Sequence, residues 1–84
     1  MFILLVENPF TGTKVYVSSE GDTRDAFAQK CRKVFVRDLK RAVENNKIEN
    51  TSTSFFSPER GYGEIHFGFR NCTRYQIVEK IKQL

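Results

Sequence analysis

Residues 22–46, DTRDAFAQKCRKVFVRDLKRAVENN, constrain this chain more than any other stretch. At 100° per residue Phe27, Cys31, Val34, Phe35, Leu39, Ala42 and Val43 recur at i, i+3, i+4 and i+7, a broad apolar stripe that predicts an amphipathic helix. Lys30, Lys33, Arg37, Lys40 and Arg41 fall on the opposite side. Between Arg24 and Arg41 seven basic residues stand against two acidic ones, a local charge of +5 in a chain whose total is +4. The rest of the sequence is therefore close to neutral, and the positive charge belongs to this segment. Asp22 or Thr23 supplies an N-cap, the acidic residues come early as the helix dipole prefers, and Asn45-Asn46 supplies a stop.

The segments around the helix read as strands. Phe2–Val6 is apolar throughout, Glu7–Thr13 has turn composition, and Lys14–Ser18 alternates, so the opening predicts a β-hairpin. The first strand is either covered on both faces or leaves Ile3 and Leu5 on an open one. Residues 48–57 are rich in Thr, Ser and Phe and suit a strand. Glu64–Arg70 alternates cleanly, with Ile65, Phe67 and Phe69 on one side and Glu64, His66, Gly68 and Arg70 on the other. Residues 71–84 read as a closing helix, because Thr73-Arg74-Tyr75-Gln76 matches a capping box and Ile77, Val78, Ile81 and Leu84 form an apolar edge.

The expected fold is one α+β domain over residues 1–84, a two-layer sandwich of order ββαββα. Four antiparallel strands would carry two helices on one face, as in a permuted ferredoxin-like arrangement. With 39% apolar residues, eight Phe and three Tyr, the chain can fill one small core. No segment has the ~18–20 apolar residues of a membrane span. The opening lacks the basic flank and the long apolar run of a signal peptide. A complete, cytoplasmic, non-membrane gene product is expected. Two cysteines make no disulfide framework. Cys31 belongs to the apolar stripe, and Cys72 falls at the start of the last predicted helix.

Basic side chains at helical spacing can track phosphates, and four such contacts on duplex DNA would give a salt slope of about −3.6. Residues 60–67, Arg60-Gly61-Tyr62-Gly63-Glu64-Ile65-His66-Phe67, resemble the RNP1 octamer of the RNA-recognition motif. The resemblance implies that Arg60 meets phosphate, Tyr62 stacks on a base, and Ile65 and Phe67 enter the core. Glu64 departs from that pattern, standing where a second stacking aromatic belongs. Two strands before the first helix and none after the last depart from it as well.

His66 is the one histidine. With Glu64 and Arg70 on its strand face it makes up the parts of an RNA-cleaving site, as base, acid and phosphate clamp. Its cysteines and histidine match no zinc spacing, and no cofactor is expected. On the open sheet face Ile3, Leu5 and Tyr16 are expected together with Phe56 and Tyr62, a patch of the kind that marks an interface, including a self-dimer.

These features define three classes. The first is a non-enzymatic binding protein whose basic helix face, with Arg60, Tyr62 and Arg70, engages RNA, DNA or a nucleoprotein. The second is a protein-directed inhibitor or adaptor of phage or mobile-element type, blocking a host or defence complex through an acidic patch. The third is a small endoribonuclease using His66.

Overall fold

The computed structural model describes residues 1–45, 53–68 and 71–79. Strands β1 (Phe2–Asn8) and β2 (Gly12–Val17) are followed by helix α1 (Arg24–Glu44) and by strands β3 (Phe55–Ser57), β4 (Tyr62–Gly68) and β5 (Asn71–Glu79). All strands pair antiparallel in one five-stranded sheet of order β2-β1-β5-β4-β3. Helix α1 covers one face of it.

The hairpin between β1 and β2 closes through Asn8, whose side-chain oxygen accepts from the backbone N–H groups of Phe10 (2.8 Å) and Thr11 (3.1 Å). Gly12 then takes φ +92°, a left-handed value that suits glycine. Thr23 caps α1 by accepting from the Ala26 N–H at 3.1 Å, and Asn45 ends it. At the other end of the sheet the Arg24 guanidinium donates to the carbonyls of Pro58 (3.1 Å) and Glu59 (2.9 Å), which ties the start of the helix to the β3–β4 turn.

The core lies between helix and sheet. Leu4 and Val6 of β1, Ile65 of β4 and Tyr75 of β5 meet Phe27, Ala28, Cys31, Phe35 and Ala42 of α1. Phe35 stacks on Phe56 at 5.7 Å and meets Tyr75 edge to face at 5.3 Å. The helical stripe is narrower than its sequence suggests at the C-terminal end, where Val43 is exposed.

Three expectations are corrected. Among the described residues the sheet has five strands rather than four, and one helix rather than two packs on it. The order is ββαβββ, not a permuted ferredoxin-like one. The expected second helix is strand β5: Thr73, Tyr75 and Ile77 face the core while Arg74 and Gln76 point away, a period of two that β-branched and aromatic residues support. The slot between β1 and β4 decides the matter, because both neighbours present ladder groups to β5. Ile81 and Leu84 lie outside the described residues. So do residues 48–52 of the expected strand at 48–57, of which Phe55–Ser57 forms β3.

Tyr16 is also corrected. It is paired with Leu4 and so shares the helix-covered face, where it packs against the core; Phe56, opposite Gly63, does the same. Ile3 and Leu5 do occupy the face away from the helix, half-buried, beside Val15 and Val17 of β2. Among the described residues no helix is long and apolar enough to cross a membrane.

Candidate functional site

The outward side of α1 is a shallow groove along the helix, walled by Arg32, Lys33, Lys40 and Arg41 with Val36 between them and the Glu44 carboxylate at its C-terminal end. Positions 29, 33, 36, 40 and 44 recur every three or four residues, so one side of the helix brings them into a row while the opposite side is buried. Lys30 is drawn aside: its ammonium pairs with the Asp22 carboxylate at 2.9 Å. That hydrogen bond, with the Ser19 N–H, holds the Asp22 carboxyl below its ordinary value. Arg37 is engaged as well, donating to Tyr16 Oη at 3.0 Å and to Asp38 Oδ1 at 3.2 Å. Its already high pKa is raised further, first by the Tyr16 hydroxyl.

Among the described residues Arg32, Lys33, Lys40 and Arg41 have no acidic side chain within ion-pair distance. All four are exposed. Arg32 joins the set although its position in the sequence singled it out less than Lys30; the i+4 step from Arg32 to Val36 and on to Lys40 is the signal that finds it. Four cations against one carboxylate, Glu44, along one helix suit a ligand with regularly spaced negative charge.

The opposite surface of the molecule has a different chemistry. Tyr62, Glu64 and His66 of β4 point away from the helix, across from Gln76, Arg74 and Cys72 of β5. Tyr62 donates its hydroxyl to Glu64 Oε2 at 2.9 Å, which raises the phenol's pKa, and its ring leans on Phe55 at 6.2 Å. Glu64 Oε1 stands 3.4 Å from His66 Nε2. Arg74 lies between Glu64 and Glu7 in the register, and its pKa is raised, first through its contact with the Cys72 side chain.

The carboxylates of Glu7 and Glu64 make this face unsuited to a polyanion. Ile65, by contrast, is core, and Phe67 packs against the core from the same side. Arg60 is exposed in the β3–β4 turn, at the N-terminal end of the helix and remote from Arg41. Arg70 lies outside the described residues.

Cys72, like Tyr16, stands elsewhere than the sequence predicts. It sits in strand β5 directly across from His66, half-buried, and not at a helix N-terminus. Cys31 is buried, and burial pushes its thiol up to about 11. Among the described residues no cluster of three or more His, Cys, Asp or Glu side chains is placed to hold a metal ion.

Comparison with known proteins yields no matching family model, no matching curated protein and no matching solved structure.

Proposed function

We propose that this chain is a small non-enzymatic binding protein whose exposed helix face engages the phosphate backbone of a nucleic acid, free or within a nucleoprotein complex. One observation carries the reading: Arg32, Lys33, Lys40 and Arg41 line one groove of α1 with a single carboxylate, Glu44, beside them and with no ion pair to any of the four among the described residues. The remaining charge of the protein nearly cancels, so the attraction is local and directional. A cytoplasmic location goes with such a partner, and two free cysteines fit a reducing compartment.

The test is binding of a fluorescent oligonucleotide to the wild type and to Lys33→Glu/Lys40→Glu. Loss of binding by about tenfold or more at low salt supports the reading, since two phosphate contacts are replaced by repulsion. Equal affinity removes the helix from the account.

A second reading rests on the uncovered sheet face. Val15 and Val17 are 55% and 56% exposed next to Ile3 and Leu5, an apolar area on the surface remote from the cations. A protein-directed inhibitor or adaptor, or a self-dimer, would use that area. Replacing Val15 and Val17 with Lys distinguishes the two: nucleic-acid binding survives in the first reading, and partner binding fails in the second.

A further inference from the structure

The two edges of the sheet are not alike. Strand β3 is three residues long and runs straight into Pro58, which blunts it as a template for a further strand. Strand β2 is six residues long, holds no proline, pairs with β1 without a bulge, and is exposed at every position but Tyr16. Among the described residues no strand pairs with its outer side. We propose that this edge receives the same edge of a second copy, antiparallel and in one register, joining the two five-stranded sheets into one continuous sheet.

The ladder inside the molecule locates the free main-chain groups. The Ser18 N–H donates to the Phe2 carbonyl at 2.9 Å. Hydrogen-bonded positions alternate along an antiparallel pair, so Ser18, Tyr16, Lys14 and Gly12 turn their main-chain groups towards β1. Thr13, Val15 and Val17 turn theirs outwards, an evenly spaced row of donors and acceptors.

Symmetry then selects the register. A two-fold axis at Val15 sets that residue against itself and Thr13 against the second copy's Val17. All three outward residues of each chain are then paired, with about six main-chain hydrogen bonds in all. Moving the axis to Lys14 loses one of these pairs and sets Lys14 against itself, a like-charge contact. Moving it to Tyr16 also loses a pair. With the axis at Val15, β-branched Val and Thr side chains meet on the open face. Lys14 shares the helix-covered face, being paired with Val6, and there it meets the second copy's Tyr16, an ammonium beside an aromatic ring. The one charged residue of the strand thus does not oppose its own copy.

Val15 and Val17 are 55% and 56% exposed, and the seam covers the side of each that β1 leaves open. The axis stands perpendicular to the sheet, so both helices lie on one side and both cation rows face the same way. The contact is made by main-chain groups and needs no nucleic acid, so it stands or falls apart from the proposed function.

Sedimentation velocity of the wild type without nucleic acid, from about 1 to 300 µM, reads the association. An edge pairing of this length lies at the low end of interface size, so a dimer with a Kd of about 10 µM is expected. Val15→Pro removes an outward N–H that β1 does not use, a change an edge strand tolerates. It is expected to raise Kd by about tenfold or more, since one hydrogen bond is lost from each chain. Val78→Lys alters the open face away from this edge and is expected to leave Kd unchanged.

Disulfide trapping reads the register. In a Cys72→Ser background Val15→Cys is expected to cross-link to itself on oxidation, because Cα atoms so paired lie about 5.5 Å apart, within disulfide reach. Thr13→Cys alone is expected not to cross-link, whereas its mixture with Val17→Cys is expected to give the mixed dimer.

A wild type that stays monomeric to about 300 µM overturns the proposal. So does a dimer that Val15→Pro leaves intact, a dimer that Val78→Lys disrupts, or self-cross-linking of Thr13→Cys as ready as that of Val15→Cys. Should circular dichroism show that Val15→Pro fails to fold, the cross-linking pattern decides alone.

Discussion

The phenol of Tyr75 donates a 2.7 Å hydrogen bond to Oδ2 of Asp38, joining the central strand of the sheet to the middle of the helix. The other oxygen of Asp38 accepts from Arg37, and Arg37 donates onward to Tyr16 of β2. One polar chain thus runs from β5 through α1 to the sheet edge, just inside the basic face. It fixes the helix against the sheet and sets the orientation in which the unpaired cations meet solvent.

Tyr75→Phe keeps the ring and removes that bond. A hydrogen bond to a charged acceptor contributes about 2 kcal/mol, so Tm is expected to fall by about 10 °C in a domain of this size. Thermal denaturation followed by circular dichroism checks this, and an unchanged Tm would show that Asp38 and Arg37 hold the helix without the phenol.

The same contact makes a statement about alkaline pH. Burial, and then the Asp38 carboxylate, raise the Tyr75 pKa well above its ordinary value of 10.0. A raised folded-state pKa contributes stability that is complete below the unfolded value and is lost as pH rises beyond it. Denaturant midpoints of the wild type are expected to hold to about pH 10 and to decline above it, and Tyr75→Phe is expected to flatten that decline. Equal slopes in both proteins would place the alkaline sensitivity in other groups.

Gly63 permits the close approach of β3. A Cβ there would stand 2.7 Å from the carbonyl oxygen of Phe55 and 2.9 Å from Phe56 Cα, both backbone atoms. Gly63→Ala is expected to cost about 3 kcal/mol, at the upper end of overpacking penalties. At Gly12 a Cβ meets nothing within 4 Å, and the φ of +92° alone sets the penalty, about 1 kcal/mol. Urea unfolding of the two variants should rank them in that order.

The cysteines should differ in reactivity. Cys31 is buried with its thiol pushed up to about 11, while Cys72 is half-buried on the uncovered sheet face. Iodoacetamide at pH 8 is expected to add one label to the native protein, at Cys72, and two after denaturation. A native label on Cys31 would mean that the helix leaves the sheet readily.

Much of the fold is legible where local pattern and tertiary context agree. The caps at Thr23 and Asn45 and the alternation of Ile65 and Phe67 against Glu64 and His66 are of this kind. Residues 73–76 satisfy two patterns at once, a capping box and a strand of period two. Only the open slot between β1 and β4 selects the strand, and that slot is made by residues far away in the chain. Tyr16 was assigned to the wrong face because the parity of β2 depends on its pairing with Leu4, which no local rule states. The cationic row was readable because it lies on one helix.

The most direct test of the account is the salt dependence of binding to an abasic strand, which presents phosphates without bases. Four phosphate contacts on a single strand give a slope of log K against log[salt] of about −2.8, and Lys33→Gln/Lys40→Gln should reduce it to about −1.4. A slope near zero in the wild type, or the same slope in both proteins, would contradict the assignment of the phosphate contacts to α1.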